Sequence, residues 1–288
     1  MTAAPKIVEP GIYRRGSIDY ASIDAVNFST LKVLAKSALH YRHIVDCGME
    51  TSAPMRLGEA AHTATLDPVR FTRDYAVYEP PEDKTDRRGT KAWKAFEQAN
   101  AGKTILKDGE FTEAMLIRDA VRSDKLAMRY LRKGEAEQVM VWIDKETGMR
   151  CKARADFLST SVPDVVVELK TAADVCPWKF ASAYARMQYH LQAAFYCDGL
   201  EAITGRPAYH KCIAVESKEP RDVVVYDVIG DVLDVGREAY GELLKRLAEC
   251  RTKNEWLGQG AGAEATLRLP AWAVAEGESD LSDLGLEL

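Results

Sequence analysis

The segment Val165–Lys170, V-V-V-E-L-K, constrains this chain more than any other. An unbroken apolar run this short reads as a central strand covered on both faces. Such a strand needs layers packed above and below it, and 288 residues are enough to supply them around a sizeable core. The sequence sets Glu168 into that run and Lys170 two residues later, so period two turns both side chains to one face. A carboxylate on a buried strand is costly unless it is paired or holds a cation.

The flanking pattern builds an α/β sandwich around this strand. Residues 1–27, interrupted by Pro5, Pro10, Gly11 and Gly16, read as irregular. A helix is expected from Phe28, with Ser29 as its N-cap, and a second over 53–66, ended by Asp67-Pro68. An exposed polar loop over 79–94 leads to helices near 90–100 and 110–132. Strands over 137–143 and 150–158 are joined by a turn at 145–148. A long helix over 177–203, strands near 209–216 and 222–228, and a helix over 231–252 complete the body. The organisation expected is an N-terminal segment 1–27, a single domain 28–257 (helical part 28–134, sheet core 135–257) and a flexible tail 258–288.

Chemistry gathers around Glu168. Asp156, on the preceding strand, can lie across from it. Two carboxylates and a lysine at adjacent strand ends suit Mg²⁺, a hard cation that takes oxygen ligands. Such an ion would polarise a phosphodiester and bind the attacking water, with Lys170 orienting or deprotonating that water. On the long helix Gln188, Gln192 and Tyr196 recur every four residues and share a face. E-x-K alone says little, since it also occurs at Glu82–Lys84 and Glu216–Lys218. The plain alternative is a strand-end ion pair beside an amphipathic helix.

Other classes find no support. No apolar run approaches the ~18 residues that span a bilayer, and the first twenty residues carry no apolar core of a secretory signal. Six scattered cysteines without a C-x-x-C pair suit reduced thiols in a cytoplasmic protein. Taken as a sum, the net charge of −5 disfavours nucleic acid, but it is unevenly placed. From Leu269 onward there is no Lys or Arg, and Glu276, Glu278, Asp280, Asp283 and Glu287 carry the whole excess, which leaves residues 1–268 neutral. A local basic surface is therefore compatible with the sum.

Gly58 and His62, then Asp156, then Glu168-Leu169-Lys170, then Gln192 and Tyr196 follow in chain order. This series, G-x-x-x-H, D, E-x-K and Q-x-x-x-Y, is similar to that of the RecB-like branch of the PD-(D/E)xK nucleases. Within that branch the chain resembles the RecE (exonuclease VIII) family of phage recombination exonucleases, over about residues 25–230. The resemblance implies a restriction-endonuclease-like core, a central mixed β-sheet flanked by helices, with an N-terminal helical elaboration. It implies a Mg²⁺ site, with Mn²⁺ as a substitute, held by His62, Asp156, Glu168 and the Leu169 carbonyl. It makes Lys170 the residue that activates water, with Gln192 and Tyr196 positioning it or the scissile phosphate. Ser29 matches a serine that contacts a 5′-phosphate, while Arg154 and Gln188 are further candidates for phosphate binding. Implied partners are double-stranded DNA ends, other copies of the chain in a ring, and a RecT-like single-strand annealing protein, all in the bacterial host cytoplasm. The implied activity is exonucleolytic digestion of linear duplex, 5′→3′. The alternatives are a RecB-like endonuclease or single-strand nuclease, and a non-catalytic DNA-binding module on the same fold.

Overall fold

The computed structural model describes residues 6–48, 53–80 and 88–269. Prolines and glycines do interrupt the first 27 residues, but extended pieces survive between them as β1 (Gly11–Tyr13) and β2 (Val26–Asn27). The Asn27 side chain accepts a hydrogen bond from the Thr30 amide and caps α1 (Phe28–Leu31), so Asn27 takes the N-cap role expected of Ser29. A 3₁₀ turn over Lys32–Ala35 leads to α2 (Ala38–Cys47). The single helix expected here is divided because the Ser37 hydroxyl accepts from the His40 amide and starts a new helix. Next come α3 (Ala53–Leu66) and α4 (Pro68–Asp74), separated by Asp67, whose side chain caps α4 with Pro68 in its first turn.

No periodicity announces β3 (Tyr75–Tyr78) and β4 (Thr104–Lys107), which pair in parallel as a two-stranded sheet on either side of α5 (Lys91–Ala99) in the chain. The expected helix 110–132 is split at Asp124 into α6 (Asp108–Ser123) and α7 (Lys125–Leu131). Part of the expected loop 79–94, with Lys84 and Arg87, lies outside the described residues, as do the acids of the tail.

The second half forms the main sheet. β5 (Gly134–Ile143), β6 (Arg150–Ser159) and β7 (Val165–Ala172) make an antiparallel meander. The chain crosses over through α8 (Pro177–Arg186) and α9 (Tyr189–Thr204) to β8 (Tyr209–Glu216), parallel to β7. β9 (Val223–Val228) and α10 (Gly230–Lys253) follow. Strand order is β1-β5-β6-β7-β8-β9, with β2 pairing in parallel with β6. The sheet is mixed and flanked by helices, which is the fold class expected.

Two cores lie on the two faces of this sheet. Met140, Trp142, Ala153, Val166 and Cys212 face α1, α2, α9 and α10. Phe157, Val167, Leu169, Ile213 and Val215 face α3, α6 and α7. Residues 165–169 are all buried, as the apolar run requires. Helix α10 crosses α9 at Gly236, where a Cβ would fall 2.3 Å from the His190 carbonyl oxygen, so the crossing tolerates only glycine. Among the described residues no helix is long and apolar enough to cross a membrane.

Candidate active site

The site forms where two strands part. β6 and β7 pair from Ser159↔Val165 to Phe157↔Val167, and the ladder then ends. Asp156 and Glu168 are the next residues on each strand. Their carboxylates take over the bonding that the ladder gives up. The Asp156 amide donates to Glu168 Oε1 at 3.2 Å, and the Leu169 amide donates to Asp156 Oδ2 at 3.0 Å. Backbone amides aimed at carboxylates satisfy buried charge that would otherwise be costly.

The fork also lets both helical layers reach one point. From α3, His62 Nδ1 comes 3.4 Å from Asp156 Oδ2, and the ring hydrogen-bonds the Leu169 backbone. From α9, Gln192 Nε2 donates to Glu168 Oε2 at 3.0 Å. Lys170 Nζ donates to the same oxygen at 2.7 Å and lies 4.9 Å above the ring of Tyr189. Tyr196, buried behind this group, hydrogen-bonds Gln192. Gly58 stands beside Thr171, whose Oγ1 would meet an added Cβ at an ordinary 3.6 Å, so packing within the chain does not itself demand glycine there.

Burial governs the charges. Glu168 is 1% exposed, and burial together with the nearby Asp156 carboxylate pushes its pKa up to about 7. Asp156 is raised for the same first reason. Burial and the Lys170 ammonium lower His62 to about 4, leaving a neutral imidazole able to act as a ligand. For Lys170 burial works against the charge, but Glu168 and Asp156 outweigh it and hold the ammonium well above its usual value.

The donor set fits a hard divalent cation: two carboxylates that burial makes reluctant to ionise, a neutral imidazole and the Leu169 backbone. As the side chains stand, no group of three or more His, Cys, Asp and Glu residues forms a ready cage among the described residues. The physical reason is local. Lys170 and Gln192 already occupy Glu168 Oε2, and Leu169 occupies Asp156 Oδ2, so a cation would have to compete with these donors.

His62, Asp156, Glu168, Leu169, Lys170, Gln192 and Tyr196 are thus brought together. Gln188 is not part of that row. The expected long helix breaks there, and Gln188 sits in a left-handed conformation (φ 59°) as the N-cap of α9. Ser29 is exposed in the first turn of α1. Arg154 is half-exposed and bonded to Glu137 at 2.9 Å. Reading the sequence alone missed Glu137 and Tyr189. Tyr189 was detectable, being three residues from Gln192 on a helix. Glu137 looked like the polar start of a strand, whereas its backbone is left-handed (φ 54°) directly opposite Asp156. That conformation costs a residue with a side chain on the order of 1–2 kcal/mol and has no signature in composition.

A sequence profile described as a PDDEXK-like domain of unknown function (DUF3799) matches residues 27–268. The chain belongs to this family. Its fold is that of the PD-(D/E)xK nuclease superfamily. The PDDEXK-like chain is also similar to a crystal structure from Eubacterium rectale named "Putative exonuclease", at 14% identity and a TM-score of 0.58. That alignment covers 88% of this chain and 94% of the other. At such identity the likeness speaks for the fold alone. No curated protein matches the sequence.

Proposed function

We propose that this protein is a divalent-metal-dependent deoxyribonuclease that degrades linear double-stranded DNA from its ends. The observation that carries the reading is the convergence of His62, Asp156, Glu168, Lys170 and Gln192, from both helical layers, on the fork between β6 and β7. A structural ion pair would explain Glu168 with Lys170. It would not explain an imidazole and a second buried carboxylate at the same place.

Asp156, Glu168, the Leu169 carbonyl and His62 would hold the cation, Mg²⁺ or in its place Mn²⁺. When bound, such an ion supplies charge that polarises the phosphodiester and makes a water acidic enough to attack. Lys170, an ammonium steadied by Glu168 and the Tyr189 ring, would orient that water by donating a hydrogen bond and would offset charge gathering on the phosphate. Gln192 fixes the Glu168 carboxylate, and Tyr196 holds Gln192 from behind. Arg154 and Ser29 offer donors to flanking phosphates from the exposed side. Direct attack by water leaves no covalent link between enzyme and DNA.

The finer terms of the reading are 5′→3′ polarity, a ring of identical subunits around the duplex, and work beside a single-strand annealing protein in recombination. Their support is the motif series and its resemblance to the RecE family. The test is digestion of a linear duplex labelled separately at its 5′ and 3′ ends, with and without Mg²⁺, beside a covalently closed circle. Metal-dependent release of the 5′ label first, with the circle intact, is expected. Early release of the 3′ label refutes the polarity, and cleavage of the circle refutes the exonuclease assignment.

A further inference from the structure

We propose that Arg15, Arg70 and Arg154 form a pocket for a phosphate of the nucleic-acid backbone, and that the Glu137 carboxylate fills it as a resident anion that the phosphate displaces. The proposal rests on the nuclease reading and adds to it a ligand position and a gate.

Glu137 falls opposite Asp156 in the β5–β6 register. The ladder pairs Ala136 and Gln138 on either side but passes over Glu137. The Glu137 side chain is turned into a knot of guanidiniums that come from three separate parts of the chain. Arg154 Nε on β6 lies 2.9 Å from Oε2, Arg15 from the N-terminal segment bonds the same oxygen, and Arg70 Nη1 on α4 stands 4.0 Å from Oε1. Among the described residues, the ion pairs of Glu137 are all with arginine.

Charge is not balanced here. Asp74 takes Arg70 Nε at 3.0 Å, but Asp74 also pairs with Arg73, so four guanidiniums share two carboxylates. Arg15 lies below the usual arginine range, first through burial and then with Arg70 and Arg154 repelling it. Several guanidinium forks aimed at one small oxyanion are the arrangement that recognises phosphate. Exposure is graded as well: Arg70 is 10% exposed, while Arg154 is 43% exposed and lies 5.5 Å over the ring of Tyr20. A phosphate entering past Arg154 would arrive one strand from Asp156, beside the scissile position.

If the knot were merely structural, removing the carboxylate would weaken folding and leave DNA affinity unchanged or lower. The experiment measures binding of a fluorescent linear duplex to the full chain in metal-free buffer, with thermal denaturation of every variant. Glu137→Gln should bind on the order of tenfold tighter, the size of one charge-assisted hydrogen bond released. Arg154→Ala should bind on the order of tenfold more weakly, with a salt slope shallower by about one. A folded Glu137→Gln protein with unchanged or weaker affinity overturns the proposal. So does wild-type affinity in Arg154→Ala, which decides alone if Glu137→Gln does not fold. Duplexes bearing a 5′-phosphate or a 5′-hydroxyl separate the two sources of phosphate. Equal effects place an internal phosphodiester in the pocket, and effects confined to the phosphorylated end place the terminal group there. Metal-independent cleavage, or none with Mg²⁺, breaks the nuclease reading while these binding changes still stand.

Discussion

Helix α9 carries two polar clusters, one facing each end of its length, and they differ in how their charge is met. Near its start, Gln192 reaches Glu168, a nearly inaccessible carboxylate whose pKa is raised to about 7 by burial. Near its end, Asp198 receives Arg237 Nε at 2.8 Å and the Tyr240 hydroxyl at 2.5 Å from α10, beside a cleft of about 620 Å³. In the second cluster both oxygens of Asp198 are hydrogen-bonded, and it ties α9 to α10 through an Arg237 that also pairs with Asp234. The first sets two buried carboxylates against one lysine, and burial with the Asp156 charge leaves Glu168 reluctant to ionise although Lys170 offsets part of the cost. The cleft lies beside the hydrogen-bonded Asp198 and not beside Glu168.

The comparison breaks most decisively through Glu168→Gln and Lys170→Ala. Each should lower metal-dependent cleavage by on the order of 10³-fold or more. Glu168→Gln should melt lower than the wild type, since it leaves the buried Lys170 ammonium without its nearest partner, so cleavage is compared per folded molecule. An active Glu168→Gln protein would sink the site assignment. A smaller effect is expected from His210 on β8, buried with no partner for either ring nitrogen and lowered to about 3 by burial, with Lys170 and Lys211 adding to the shift. Its folded pKa lies below the unfolded value of 6.5, so the unfolded chain binds the extra proton between them. Stability is therefore lost as pH falls from 6.5 toward about 3, by about 1.4 kcal/mol per pH unit from this group. Urea unfolding of His210→Leu across that range should show a flatter profile.

At the Asp198 end, Asp198→Ala should cost about 1–2 kcal/mol in urea unfolding, discounted because Arg237 is more than a third exposed. Cleavage per folded molecule should be unchanged. If Asp198→Ala abolishes cleavage while folding normally, the contrast between the two ends is wrong. The smallest effects belong to α1. Asn27→Ala should lose about 1 kcal/mol of capping, whereas Ser29→Ala, exposed and not a cap, should stay within about 0.5 kcal/mol. Any effect of Ser29→Ala should appear in affinity for DNA instead.

Legibility in the sequence followed the range of the interactions. The V-V-V-E-L run, the hairpin turn before Arg150 and the spacing of Gln192 and Tyr196 are local, so their strands and faces could be read directly. The break at Gln188 was hidden. A glutamine adopts a left-handed backbone between α8 and α9 here, although the residues 177–203 carry a helical pattern throughout. β1 and β2 were hidden for a related reason: three-residue and two-residue strands exist only because β5 and β6 offer them edges. Glu137 is the strongest case, since its conformation and its arginine partners come from three segments far apart in the chain.

The sequence by itself determined that a carboxylate would be buried on a central strand with a lysine on the same face, and that an Asp, a His and a Gln would precede and follow it in order. Pattern and period suffice for that, because side-chain direction along a strand or helix is a local matter. Only the tertiary structure decided that the β6–β7 ladder would end one residue before Asp156 and Glu168, opening the sheet so that α3 and α9 could meet there from opposite faces. It also decided that three arginines would close on Glu137 beside them. Those outcomes depend on where strands part and how layers stack, which is set by the packing of the whole core.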